Sequence, residues 1–435
     1  MRTQNLTINV VLILTALSLP ARALQGPGAG FSSLPPAARD SIVRALRQDM
    51  AWKQLAELTA SDGTDTEGFS ASVAIDGNTV VVGAPDANIG NNQGQGTAYV
   101  FVKPRNGWEN MTQVAKLTAS DGKAGDEFGW SVAISGNTVL VGSFNAGGGG
   151  EAYIFVRPPR GWRSRHETAR IGCCSFTVAI RRDVAVCGGG GVAKIYVKPQ
   201  SGWKSTSSYD AFLVASDGDQ TLGLSVATTG DTVVAGAPDT DGENQSRGAA
   251  YVFVRPKNGW GFPSNIRRIQ TETAKLTASD SGPGYNVGLA VSISGETVVA
   301  GAPYAQDNSG NSGAAYVFVK PASGWANMAE TAKLTANTTD SISTLGFSVA
   351  LRGGTLVAGN PTGTVADNAE GEAYVFAKPA GGWATTSTFD ARLAASDGQK
   401  YDYFGNAVSL SGTIIVVGNN RYFIKLPGAA YVFGH

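Results

Sequence analysis

The sequence predicts an all-β fold. It reads as a seven-bladed β-propeller of four-stranded antiparallel blades, closed into a ring by an N-terminal strand that pairs into the last blade, and preceded by a short helix. Three observations predict it. A phrase built on AYVFVKPASGW recurs seven times, each repeat carries four strand-like runs, and the repeat is out of phase at the two ends of the chain.

Residues 1–23 read as a secretory signal peptide. Arg2 supplies the positive start, Val10 to Leu19 form an apolar stretch too short to span a bilayer, and Ala21-Arg22-Ala23 is a small-x-small cleavage site. The mature chain is expected to begin near Leu24, outside the cytoplasm, in the periplasm or beyond. Residues 24–51 follow as a flexible lead, LQGPGAGFSS, and a short helix from Leu34 to Met50. Pro36 suits its first turn, and Ile42, Val43 and Leu46 form its apolar stripe.

The propeller is expected over residues 52–435. A gapless seventeen-residue block starts at Phe69, Phe128, Cys174, Leu222, Val287, Leu345 and Phe404. Its clearest copy, FGWSVAISGNTVLVGSF, has the turn signal SGNT between two apolar runs, hence a β-hairpin made of the two inner strands. The AYVFV runs, from Ala98, Ala152, Ala193, Ala250, Ala315, Ala373 and Ala430, supply the third strand. Lys320-Pro321 ends that strand because proline cannot donate to the ladder, Gly324 permits the turn, and Trp325 is expected between neighbouring blades. The Gly-Trp tryptophans (Trp108, Trp162, Trp203, Trp260, Trp325, Trp383) lie 54, 41, 57, 65 and 58 residues apart, about one blade each. The AKLTASDG stretches from Ala56, Ala115, Ala211, Ala274, Ala332 and Ala391, clipped to ARIG at Ala169, give the outer strand.

Two features favour a closed ring. Val80-Val81-Val82 and Val317-Phe318-Val319 do not alternate, as strands buried on both faces need not. The chain begins with an outer strand, AELTAS, that has no unit before it, and ends at AYVFGH with no outer strand after it. Seven sheets are complete only if these two pair, which also covers an exposed edge.

The FG at Phe128-Gly129 and Phe404-Gly405, and the GAP at Gly83-Ala84-Pro85, Gly236-Ala237-Pro238 and Gly301-Ala302-Pro303, resemble FG-GAP repeats, the units of the integrin α-subunit N-terminal propeller. The fuller pattern AKLTASDG, FGxSVAISGxTVVVGAP, GAAYVFVKPxxGW is similar to a bacterial-type FG-GAP repeat family, over residues 52 to 435. The resemblance implies the propeller fold and a ligand face like that of integrins. It implies no calcium sites by direct transfer. The integrin-type DxDxDG loop would fall where this chain has tight turns such as Asp76-Gly77-Asn78-Thr79, which are too short and too poor in carboxylates to wrap a hard cation.

The chain carries 34 basic and 34 acidic residues for a net charge of zero, which argues against a general nucleic-acid binder. Its two histidines, His166 and His435, belong to no catalytic motif, and HExxH, GxSxG and CxxC are absent. The GGGG runs at 147–150 and 188–191 read as shortened hairpin loops. Cys187 is expected opposite Val178 across its hairpin, so a Cys174–Cys187 disulfide is not expected. A vicinal Cys173–Cys174 bond or a reactive thiol is the alternative. Asn110, Asn244 and Asn337 fit the glycosylation sequon.

Acidic and amide residues gather in loops expected on one face of the ring. The second-to-third-strand loops hold the candidate ligand residues Asp86, Asn88, Asn91, Asp239, Asp241, Asn244, Asp307 and Asn308. Asp239, Asp241 and Glu243 are the best cation candidates, with calcium the possible ion. The connections from outer to inner strands add Asp62, Asp65, Glu67, Asp121, Asp126, Glu127, Asp217, Asp219, Asp397 and Asp402. Short loops on the second and third units predict a dip there, the expected ligand position. The sequence thus reads as a monomeric, non-enzymatic binding or adhesion module for an extracellular protein or glycan, without a membrane span or nucleic-acid partner. A lectin with several inter-blade sugar sites and an envelope or matrix scaffold are the alternatives.

Overall fold

The computed structural model describes residues 52–63, 68–173, 176–239, 246–261, 269–307, 310–337, 343–364, 370–420 and 427–435. The expected signal peptide, lead and helix lie outside these residues. Seven four-stranded antiparallel units form the ring. Blade 1 consists of Ser72–Asp76, Thr79–Ala84, Thr97–Val102 and Ala115–Leu117, numbered from the axis outward. Blade 3 is Thr177–Arg181, Val184–Gly189, Val192–Val197 and Ala211–Val214. Blade 5 is Ala290–Ser294, Thr297–Ala302, Ala314–Val319 and Ala332–Leu334. In blade 7 the three C-terminal strands are joined by Lys53–Thr59, antiparallel to Ala429–Gly434, so the ring closes as the phase of the repeat predicts.

Seven hydrophobic clusters hold the ring, one per pair of neighbouring blades. Val80 and Val82 face the cluster with blade 7, whereas Val81 faces the cluster with blade 2. Sandwiching of each sheet between two others is why these strands are apolar at successive positions. Each cluster takes one tryptophan. Six come from the Gly-Trp turns, and Trp52, edge-on to His435 at 4.5 Å, packs against the seventh.

The FG and GAP motifs have a steric cause. A Cβ on Gly83 would stand 1.9 Å from the carbonyl oxygen of Gly129 in the next blade, and Gly301 meets Gly346 at the same distance. Gly129 has φ 97°, and its carbonyl accepts a hydrogen bond from the Ser72 hydroxyl at 2.8 Å. The two glycines let adjacent backbones touch where the blades converge on the axis.

One feature goes beyond four strands. The link after the Gly-Trp turn runs back along the preceding blade and in places adds a short parallel strand, as Met111–Thr112 does beside Leu58 and Thr59. Link side chains also cap that edge. Asn110 Oδ1 accepts the Glu57 N–H at 2.8 Å, and Asn327 Oδ1 accepts that of Lys275 at 2.8 Å. The outer edge of the ring is thereby partly closed to further strand pairing.

Candidate functional site

Many acidic residues expected on the loop face are committed to joining blades. The aspartate after the outer strand reaches the tyrosine of the next blade's third strand, the basic residue of its fourth strand, or both. Asp280 accepts from the Tyr316 hydroxyl at 2.8 Å and pairs with Lys333 at 2.7 Å. Asp217 does the same with Tyr251 and Lys275, at 2.8 and 2.7 Å. Asp62 pairs with Lys116 at 2.6 Å, Asp121 takes Tyr153 and Arg170, and Asp397 takes Tyr431 at 2.8 Å. Burial alone would raise the Asp62, Asp217 and Asp280 carboxyls. The lysine and tyrosine donors outweigh it and hold all three below the ordinary value. The neighbouring serine is clasped too, as when the Glu330 carboxylate accepts the Ser279 N–H and hydroxyl at 2.8 and 2.7 Å. Asp126 and Asp402 are buried and shape their own turns by accepting the Lys123 and Gln399 N–H groups.

Asp86 and Glu127 are different. They come from neighbouring blades, at the end of the second strand of blade 1 and just before the inner strand of blade 2. Burial raises the Asp86 carboxyl above its ordinary value. Burial, then the charge of Asp86, raises that of Glu127. Asn145 Nδ2 donates to Glu127 Oε1 at 3.1 Å. Beside them Trp130, 43% exposed, stacks on Phe144 with ring centroids 5.3 Å apart and planes 27° off parallel. Phe176 of blade 3 meets Phe144 edge-on at 4.6 Å. Both tight turns around this patch need unusual backbone. Glu127 sits at φ 55°, where blade 1 has Gly68 at φ 58°.

Trp130 was not among the sequence candidates. The signal was nonetheless present, because the position two after the F of FG is Ala71, Phe176, Leu224, Leu289, Phe347 and Asn406 in the other blades, and only here a tryptophan. The short loop of blade 3 borders a cavity of about 430 Å³ lined by Gly190, Gly191, Val214, Gly218, Asp219 and Gln220, on the blade 4 side of blade 3, whereas the dip was expected over blades 2 and 3.

The remaining candidates are dispersed. Asn88 shapes its own loop, accepting the Gly94 N–H at 3.0 Å, and Asn91 is exposed. Asp239 accepts from Asn286 Nδ2 at 2.9 Å, which is the blade 4 counterpart of the Asp86–Glu127 contact. Asp307 lies in a two-residue strand paired with Gly310 and Asn311. Asp241, Glu243, Asn244 and Asn308 lie outside the described residues, so the cation trio is not assembled in the described structure. Among the described residues no group of three or more His, Cys, Asp or Glu side chains is placed to hold a metal. No helix of the described residues is long and apolar enough to cross a membrane.

Cys187 is not bonded to Cys174, as expected, and the vicinal Cys173–Cys174 alternative is overturned by a third pairing. Cys187 lies opposite Val178, as the hairpin register requires, but it is bonded to Cys173, with Cα atoms 6.2 Å apart. Cys173 directly follows the outer strand of blade 2, so the bond staples blade 2 to the second strand of blade 3.

A family model described as FG-GAP repeat matches residues 52–101, 111–155, 208–253, 270–318, 328–376 and 388–433. The unmatched stretch between 155 and 208 contains the three inner strands of blade 3. No curated protein sequence matches the chain. Among solved structures, the WD40 β-propeller domain of Doa1 is similar in fold. Its TM-score is 0.51 at 11% identity, over 88% of this chain and 97% of that one.

Proposed function

We propose a binding function for this chain, which belongs to the FG-GAP repeat family. In this reading it is an exported, non-catalytic module that holds an extracellular glycan or protein on the loop face of blades 1 to 3. The exposed Trp130 ring, stacked on Phe144 and flanked by Glu127 and Asn145, is the observation that carries it. A flat aromatic face suits the apolar side of a sugar ring, and a carboxylate with a carboxamide suits its hydroxyls. A partly desolvated acidic pair beside that ring is unfavourable for the free fold, which favours a role in recognition over one in stability.

Among the described residues an exposed tryptophan stacked on a second ring occurs at one place, so this reading expects one ligand per chain. A lectin with equivalent inter-blade sites would bind several. The test is a combined glycan and matrix-protein array, run with calcium and with chelator, followed by stoichiometry on any hit. Binding near one per chain and weakened at least tenfold by Trp130→Ala supports the reading. Several equivalents per chain favour the repeated-site lectin. Silence in both conditions leaves a scaffold role.

A further inference from the structure

The opposite face carries a second feature, in blade 3. In the other blades the turn between the two inner strands is built on glycine with positive φ, for example Gly77 at 58°, Gly136 at 57° and Gly295 at 58°. Blade 3 places Arg182 there at φ 53°, preceded by Arg181 where blades 2 and 5 have Ser135 and Ser294. An arginine in this left-handed region is strained in a way glycine is not, so the turn itself gains nothing from it.

Both arginines line a cavity of about 420 Å³ between blades 3 and 4, together with Lys198, Arg255, Asn258 and Trp260. Its carboxylates are already engaged. Asp183 pairs with Lys198 at 3.3 Å, Asp231 pairs with Arg255 at 2.8 Å, and Asp210 accepts the Val197 N–H at 2.7 Å. Neither Arg181 nor Arg182 has an ion pair among the described residues. The same two side chains, with Thr229, also line the central channel, where Arg352 of blade 6 adds a third cation at the same end.

We propose that this cavity is a binding site for a small ligand bearing an oxyanion, gripped by the Arg181 and Arg182 guanidinium groups. The planar fork of arginine matches both phosphate and carboxylate, and the cavity has the volume of a small-molecule site. The four basic side chains of the lining exceed its three carboxylates by one, and Arg181 and Arg182 are the two that stand outside the ion pairs.

The test is isothermal titration of the purified protein with inorganic phosphate, sulfate and citrate at matched ionic strength. It is repeated on Arg182→Gly and on Arg181→Ser, which restore the residues of the other blades. The expected result is saturable binding of at least one anion, weakened tenfold or more in each variant, with melting temperatures equal to or above that of the parent. A preference for phosphate or sulfate over citrate, or the reverse, identifies the oxyanion. No saturable binding of any anion, or binding that survives in the double variant, overturns the proposal. Both variants lie on the face opposite Trp130, so either outcome leaves the array experiment independent.

Discussion

Blades 3 and 5 share a strand order and differ in how they join the blade before them. Blade 5 is regular. Tyr316 on its third strand and Lys333 on its fourth meet Asp280 of blade 4, and the Lys333 ammonium also lies 5.6 Å from the Tyr316 ring centroid. In blade 3 the two residue types change places. Lys194 takes the tyrosine position and Phe212 the lysine position, directly opposite one another in the sheet. The aspartate is missing as well, because blade 2 ends in Gly172 and Cys173 rather than ASDG. A disulfide from Cys173 to Cys187 stands in its place, and the Tyr196 hydroxyl donates to the Gly172 carbonyl. The junction is conserved in purpose and altered in chemistry. The region that gave up the repeated solution also carries the short loop, the unmatched sequence and the Arg181-Arg182 turn, and it adjoins Trp130.

Four measurements would break or sharpen this contrast. The largest effect is expected from the regular blade's interface. Trp325→Ala empties a buried site between blades 4 and 5 and should cost about 3–5 kcal/mol in urea unfolding. A loss below about 1 kcal/mol would mean that the tryptophan does not hold that interface. Next is the covalent staple. Cys173 and Cys187 are 14 residues apart, and Cys173→Ala should cost about 2–3 kcal/mol. Reductant should lower the melting temperature of the parent and leave that variant unmoved.

Smaller is the electrostatic clasp. Asp280→Asn should cost about 0.5–1 kcal/mol at pH 7, since its partly exposed pair is screened by solvent. The pH dependence follows from the lowered Asp62, Asp217 and Asp280 carboxyls. Their stabilisation is present above the ordinary aspartate value and is lost as pH falls through their folded-state values, so Asp280→Asn should flatten the acid limb of the stability profile. The smallest effect has the opposite sign. Asp86 is raised, so its contribution is present below the ordinary value and lost as pH rises through the folded-state value. Asp86→Asn should therefore stabilise the protein at pH 7, by less than about 1 kcal/mol. A destabilised Asp86→Asn would show that the carboxylate serves the fold.

The architecture was readable in the sequence because a propeller repeats its solutions. Phe69 through Phe404 marked the inner hairpins, the tryptophans marked the interfaces, and the mismatch between AELTAS and AYVFGH marked the closure. The site was less readable. Counting acidic residues in loops could not separate Asp217, neutralised by Lys275 from the next blade, from Asp86, which has no cation beside its half-buried carboxyl in the described contacts. That difference depends on which blades touch, and so does the partner of Cys187. The hairpin register fixed Val178 as its neighbour in the sheet, but Cys173 approaches from blade 2. Trp130 was legible only by aligning the repeats with one another and asking where the position held by Ala71, Phe176, Leu224, Leu289, Phe347 and Asn406 elsewhere became a tryptophan.

The central claim is that ligand recognition lies where the repeat departs from its own rule. It is tested most directly by placing Trp130→Ala and its blade 5 counterpart Leu289→Ala on the same glycan and matrix-protein array as the parent. The account predicts a parent signal that falls at least tenfold with Trp130→Ala and stays within twofold with Leu289→Ala. A signal unchanged by Trp130→Ala, or lowered equally by both, would contradict it.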